Sequence, residues 1–247
     1  MKLIHPNWAV PSNVHAVSTT RFGGCSQGAF KGLNLGRHVG DDPGRVEMNR
    51  QTLITELGFS NTPIWLNQVH GTVMVALDSH GEIGRRKRAE KLTADGAYTT
   101  KTQTVCVVMS ADCLPLLLTN AKGTQVAAVH AGWRGLADGI IEEAINTFDC
   151  PPKDIIAWAG PCIGSKAFEV GGEVRDILGG SDAHYARSIT RGKYLANLIA
   201  LTGERLLALG VDTFSHSHLC TFSDDESFYS FRREGQCGRM ASLIWMS

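Results

Sequence analysis

Hydrophobic residues fall in short runs along this chain, and several of the runs end in groups that carry chemistry. Val14 to Thr20 reads as a strand, runs into Arg21-Phe22-Gly23-Gly24-Cys25-Ser26, and continues as a loop rich in Gly, Asn and Ser to Gly40. A second strand-like run, from Pro63, ends in Asn67-Gln68-Val69-His70-Gly71, and Val73–Leu77 follows it. The central stretch is Val105 to Gly135. There Val105–Met109 delivers Ser110-Ala111-Asp112-Cys113, Leu114 to Leu118 follows with a proline at 115, and Val126–Val129 delivers His130 before Ala131-Gly132-Trp133-Arg134-Gly135. Thr93-Ala94-Asp95-Gly96-Ala97 leads back into this stretch and brings Asp95 near it. Further strands are expected at Ile155–Ala159, which opens into Gly160-Pro161-Cys162-Ile163-Gly164, at Asp212–His218, at Phe228–Arg233 and at Met240–Trp245.

Helical spacing takes over in fewer places. Asp41-Asp42-Pro43 supplies an acidic cap and a first-turn proline; Val46, Leu53, Ile54 and Leu57 then share a face, and Gly58 stops the helix. After Gly135 one amphipathic helix is expected, with Leu136, Ile140, Ile141, Ala144, Ile145 and Phe148 on its buried side. Phe168-Glu169-Val170-Gly171 precedes a short helical segment, and Lys193 to Leu209 reads as a third good helix. Strands outnumber well-separated helices, so the expected class is α/β: a sandwich of packed sheets with helices outside, more than a regular βαβ repeat.

Composition narrows the partners. A length of 247 residues with 43% hydrophobic and 19% charged residues suits one domain with a sizeable core. Lysine plus arginine and aspartate plus glutamate number 24 each, so no overall field draws the chain to nucleic acid or anionic lipid. Arg85-Arg86-Lys87-Arg88 is a basic run without aromatic interleaving and reads as a solvated loop. No apolar run approaches the roughly 20 residues that span a bilayer. The N-terminus lacks the apolar core of a signal peptide, so the expected location is cytoplasmic. The seven cysteines form no CxxC pair and read as reduced thiols. With no large apolar helix face left over, a monomer is expected.

His70, Cys113 and His130 share only one feature: each sits where an apolar run ends. Strand ends within one sheet system can converge. Two imidazoles and a thiolate suit zinc, or copper, and three protein ligands leave a fourth position for water or substrate. The same atoms would equally serve as a Cys113–His130 nucleophile–base pair, or pack as an ordinary buried thiol. His216-Ser217-His218-Leu219-Cys220 is the denser local cluster, with two histidines on one side of a strand, and ranks second because ordinary strand and turn sequence surrounds it. Arg21, in its glycine-rich loop, is a candidate anion contact.

Five segments together resemble one known family. Asn67-Gln68-Val69-His70-Gly71, Ala111-Asp112-Cys113-Leu114-Pro115, His130 to Gly135, Gly160 to Gly164, and Phe231-Arg232-Arg233 with Gly238-Arg239-Met240 are similar, in order, to the YfiH family. Its members have been called laccase-domain polyphenol oxidoreductases, purine nucleoside phosphorylases and peptidoglycan editing factors. The resemblance covers residues 1–247 as one catalytic domain. It implies a layered α-β-β-α sandwich of mixed sheets related to the cytotoxic necrotizing factor deamidases. It implies that His70, Cys113 and His130 hold a catalytic zinc. It also implies phosphorolysis of adenosine, inosine and methylthioadenosine together with adenosine deamination, with purine nucleoside and phosphate as small-molecule partners. Arg21 matches the family's Thr-Arg-x-Gly-Gly pattern, and Arg21 and Arg134 are the candidate phosphate or substrate contacts. Phe168 stands where a tyrosine is usual. His216 and His218 fall outside the pattern. A cell-wall precursor editing amidase could use the same site; polyphenol oxidation, which needs several linked coppers, is the weaker alternative.

Overall fold

In the computed structural model, which describes residues 1–79 and 92–247, the apolar runs assemble into two facing sheets clad by helices. With strands numbered in chain order, the first sheet runs β1 (Leu3–Ile4), β2 (Val14–Thr19), β13 (Met240–Met246), β5 (Cys106–Ser110), antiparallel throughout. The second runs β12 (Thr213–His216), β8 (Ile155–Ala159), β6 (Leu114–Asn120), β7 (Val126–Ala131), β4 (Gly96–Thr99), β3 (Met74–Ala76). Its middle pairs are antiparallel, and both edge pairs, β12 with β8 and β3 with β4, are parallel. A small third sheet joins β10 (Tyr185–Arg187), β11 (Lys193–Ala196) and β9 (Glu169–Gly171).

The strand period of two sorts side chains between layers. Ala16, Val108 and Ile244 of the first sheet meet Leu117, Ala128 and Trp158 of the second in the inner core. Val17, Val107 and Leu243 face outward, onto Leu53 of helix α1 (Pro43–Glu56) and Trp65. Leu116, Leu118 and Val129 face the other way, against Leu136 of α2 (Trp133–Asp138), Ile141 and Ala144 of α3 (Ile140–Asn146), and Leu201 and Leu206 of α5 (Leu198–Ala208). The order of layers is therefore α-β-β-α. Every residue of β6 is buried, because both of its faces are covered; that accounts for an apolar run with no polar alternation.

Several elements differ from expectation, each for a local reason. The expected helix from Lys193 begins only at Leu198, where Asn197 accepts from the Ala200 amide as its cap. Lys193–Ala196 instead pairs with β9 and β10. The helix after Gly135 is two helices, α2 and α3, split at Gly139, whose φ of +98° no helix tolerates. Pro63–Gly71 forms no ladder: it is held by an isolated bridge from Asn67 to Thr93 and by side chains. Phe228–Arg233 is not a strand either, since Ser230 caps the one-turn helix α6 (Phe231–Glu234). The helical segment after Gly171 is α4 (Gly172–Leu178). The Arg85–Arg88 run lies outside the described residues. Among the described residues no helix is long and apolar enough to cross a membrane.

Candidate active site and metal centre

The fold brings three strand ends to one place. Cys113 lies on the turn Ala111–Cys113, which carries the chain from β5 in the first sheet to β6 in the second. Asp112, at the crossing, has a φ of +89°, a conformation an L residue holds only when its surroundings fix it. They do: its carboxylate accepts from Thr221 Oγ1 (2.6 Å), Ser230 Oγ (3.0 Å) and the Arg232 amide (2.7 Å), and its carbonyl accepts from the Ile163 amide (2.9 Å). His130 sits near the end of β7, paired across the ladder with Pro115, so the register of β6 and β7 sets Cys113 close to it.

His70 arrives by another route. Gln68 grips the edge strand β5 with its side-chain amide, donating to the Met109 carbonyl and accepting from the Met109 amide, both at 2.8 Å. His70 then takes a left-handed backbone, φ +62°, which turns successive amides toward Asp95. The Asp95 carboxylate accepts from the amides of Val69 (3.2 Å), His70 (2.8 Å) and Gly71 (2.7 Å), a concave anion nest. The same carboxylate meets His130 Nδ1 at 2.9 Å, and the Asp95 carbonyl accepts from the His130 amide at 2.7 Å. One fully buried aspartate thus orients both histidines.

The ligand atoms of His70, Cys113 and His130 all lie within 4.8 Å of one another, with His70 Nε2 3.7 Å from Cys113 Sγ. Because Asp95 occupies His130 Nδ1, Nε2 is the nitrogen left to face the cleft. Gly132 leaves the necessary room: a Cβ there would stand 2.7 Å from His70 Cδ2 and 3.2 Å from Cys113 Sγ. His70 is exposed, Cys113 half-buried and His130 buried, so the group opens to solvent on one side. Val69 and Val73, close to His70 in the chain, are both more than half exposed.

Charge follows from this arrangement. Burial pushes the Cys113 thiol up, but the His130 imidazolium and hydrogen bonds from both histidines more than reverse this and bring it to about 6. Burial likewise lowers His130, and the Cys113 thiolate with the Asp95 carboxylate raises it to about 9. For Asp95, burial opposes ionisation, yet the hydrogen bonds from His130 and the Gly71 and Val69 amides hold it below the usual carboxylate range. These shifts favour a thiolate at Cys113 beside an imidazolium at His130, backed by the Asp95 carboxylate.

The other candidates lie elsewhere. Among the described residues the trio is the one group of three His, Cys, Asp or Glu side chains whose ligand atoms come this close. The His216 and His218 rings lie against each other at a tilt of 43°, centres 3.8 Å apart, and the His218 amide donates to His216 Nδ1. Cys220 turns to a different set of donors, the Gly164 amide (3.1 Å) and Ser223 Oγ (3.4 Å). Arg21 donates to Glu234 Oε1 and the Asp225 carbonyl, both at 3.1 Å, and lies 4.5 Å from the centre of the Tyr229 ring, on a cleft lined by Phe22, Cys25, Lys31 and Glu226. Arg134 is exposed on the first turn of α2, its guanidinium 4.4 Å from the Trp133 ring centre. His38, in the Gly36–Gly40 loop, feels the positive charge of His70 and His130. Nothing local in the sequence singles it out, since that loop meets the trio only in the folded chain.

Comparison with known proteins points to one family. A family model described as multi-copper polyphenol oxidoreductase laccase matches residues 15–247. The chain is 46% identical over 250 residues to a Haemophilus influenzae protein named purine nucleoside phosphorylase, covering 99% of each. It is 45% identical over 247 residues to the Escherichia coli purine nucleoside phosphorylase YfiH, again covering 99% of each. Among solved structures, a Neisseria meningitidis protein superposes with a TM-score of 0.90 at 39% identity and 100% coverage of both chains. YlmD from Geobacillus stearothermophilus gives 0.87 at 31% identity, covering 95% of this chain and 92% of that one.

Proposed function

The chain belongs to the multi-copper polyphenol oxidoreductase laccase family, and from that premise we propose that it is a zinc-dependent purine nucleoside phosphorylase. Its substrates in this reading are adenosine, inosine and methylthioadenosine, with adenosine deamination as a second activity. The carrying observation is the convergence of His70, Cys113 and His130 within 4.8 Å, with His130 oriented by Asp95. The names of the H. influenzae and E. coli relatives support the substrate class.

The donor set fits zinc. Two imidazole nitrogens and a thiol already drawn toward ionisation form a three-ligand group, and the carboxylate on the second nitrogen of His130 is the usual outer partner of a metal-bound histidine. Zinc bound there supplies Lewis-acid chemistry to the purine. The chain's own residues do the rest. Asp95 keeps the proton of His130 on Nδ1, so that Nε2 offers its lone pair to the cleft. The Asp112 anchors stop the Cys113 turn from relaxing. In this reading the exposed side chains of Val69 and Val73, close to His70 in the chain, would offer apolar contact to a flat base. Polyphenol oxidation would need linked copper centres, whereas the described residues gather one group of three ligands.

One observation favours a second reading. Cys113, His130 and Asp95 stand in the order nucleophile, base and orienting carboxylate. In that role Cys113 Sγ would attack an amide carbonyl of a cell-wall precursor while His130 returns the proton to the leaving amine. Phosphate separates the two readings. Metal content by elemental mass spectrometry is expected at about one zinc per chain, with adenine released from adenosine only when phosphate is present. Zinc without any nucleoside turnover would move the assignment to the amidase.

A further inference from the structure

Among the described residues, Arg239 is an arginine without a carboxylate partner. Its backbone is fixed: the amide donates to Asn34 Oδ1 at 2.9 Å and the carbonyl accepts from the Leu35 amide at 3.1 Å. Its Nη1 donates to the carbonyls of Cys237 and Gly238, both at 3.0 Å, with a longer contact to Cys237 Sγ. Among the described residues no acceptor meets the rest of the fork, and no ion pair includes it. Other half-buried arginines of the chain are answered: Arg21 and Arg233 share Glu234, at 3.1 and 2.8 Å. Arg50 gives both Nε and Nη2 to the Leu35 carbonyl and stacks on Trp65.

Two further contacts tie Arg239 to the segment that anchors the Cys113 turn and to the loop that carries His38. Its guanidinium carbon lies 5.8 Å from the ring centre of Phe231, which is 57% exposed. Phe231 stands between Ser230 and Arg232, the two residues that Asp112 ties to the Cys113 turn. On its other side the Arg239 stem packs against the loop that carries His38, where a Cβ on Gly36 would come within 2.8 Å of Arg239 Cγ. His38, in that loop, is held below the usual imidazole range by burial and by the charge of Arg239 beside it. The carboxylates that orient the trio and its turn, Asp95 and Asp112, already accept several donors each and leave the Arg239 fork unanswered. Unfilled guanidinium donors on a half-buried arginine are what a tetrahedral dianion requires.

We propose that Arg239, assisted by His38, binds the inorganic phosphate that attacks the nucleoside. The proposal rests on the phosphorylase reading and specifies where its second substrate sits. A phosphate oxygen forms the bond to ribose C1′ as the bond from C1′ to the purine nitrogen breaks. The electron pair leaves with the purine, and the proton of hydrogen phosphate ends on that base. Neither Arg21, committed to Glu234, nor Arg134, stacked on Trp133, is needed for this step.

The test uses the full-length, zinc-loaded protein with Arg239→Gln, Arg239→Lys and His38→Ala. In adenosine cleavage, Arg239→Gln is expected to raise the KM for phosphate about 10–100-fold with zinc content and melting temperature unchanged. Arg239→Lys should recover part of the loss, and His38→Ala should raise the same KM by a few-fold. An unchanged phosphate KM in Arg239→Gln and His38→Ala overturns the assignment. Calorimetric titration with inorganic phosphate alone keeps this distinct from the fate of the activity itself. Binding by wild type that disappears in Arg239→Gln upholds the subsite even if no nucleoside is cleaved; equal binding by both, or none by wild type, overturns it.

Discussion

His216-Ser217-His218-Leu219-Cys220 packs two imidazoles and a thiol into one strand end, whereas His70, Cys113 and His130 come from three separate stretches; yet it is the scattered set that assembles. The difference lies in what surrounds each group. In the dense segment the two rings lie tilted against each other and the thiol turns to the Gly164 amide and Ser223, so the three ligand atoms face different partners. In the scattered set a buried carboxylate, a sheet-crossing turn and a glycine without a Cβ each fix one direction of approach. Local density is a weak guide to a metal site; orientation by neighbours decides it.

The sharpest way to break this contrast is to remove one ligand from each region. Cys113→Ala is expected to abolish bound zinc and to lower adenosine turnover by at least about 1,000-fold. His216→Ala with His218→Ala should leave zinc content and turnover within about two-fold of wild type, because surface substitutions outside such a site have little to lose. Elemental analysis and adenine release on the same preparations read both outcomes. Loss of zinc in the double variant, with Cys113→Ala still loaded, would reverse the ranking of the two regions.

Much of the contrast was legible in the sequence. The layers follow from the apolar runs, because β6 with its unbroken Leu114–Leu118 stretch can only be a strand covered on both sides, and the helices that cover it announce their faces at Leu136 to Ile145 and Leu198 to Leu206. His70, Cys113 and His130 were marked by ending such runs. What the sequence does not carry is the link between distant stretches. Asp95 could be placed near the site, but its grip on three successive amides and His130 depends on the left-handed turn at His70. Arg21 looked free in its glycine-rich loop because Glu234 and Tyr229, which engage it, lie at the other end of the chain. Lys193–Ala196 is helical by pattern and becomes a strand because β9 offers it a ladder.

A middle-sized effect isolates orientation from ligation. Asp95→Asn keeps the shape of the side chain and one acceptor oxygen but removes the charge that holds His130 Nδ1 and the Val69–Gly71 amides. Zinc affinity, read by competition with a chromophoric chelator, is expected to fall about 10–100-fold. The denaturation midpoint of the metal-free protein should fall as well, by about 1–3 kcal/mol in stability, since hydrogen bonds to a buried charge are lost. Asp95 has a depressed pKa, so its contribution is present above the ordinary carboxylate range and disappears as pH falls through the folded value. The gap between wild type and Asp95→Asn should therefore close in acid. A gap that persists unchanged below the ionisation of Asp95 would mean that shape, not charge, orients the site.

The smallest effect compares the two thiols directly. Cys113 and Cys220 are both held below the ordinary thiol range, against the opposing effect of burial, but by different means: a positive imidazole for Cys113, and hydrogen bonds from Ser223, Gly164 and Phe222 for Cys220. In chelator-treated protein, alkylation by iodoacetamide, followed residue by residue with mass spectrometry, should rise through a midpoint near 6 at Cys113, because the thiolate is the reacting form. His130→Ala removes the positive charge, so the midpoint at Cys113 should climb toward the free-thiol value of about 8.5 or beyond. Cys220, whose donors do not include His130, should keep its profile in the same sample and so serves as an internal control. If both midpoints move together, His130 acts through a general loosening of the fold. If only that of Cys113 moves, the thiolate owes its ionisation to one neighbouring charge, as a ligand poised to receive a cation does.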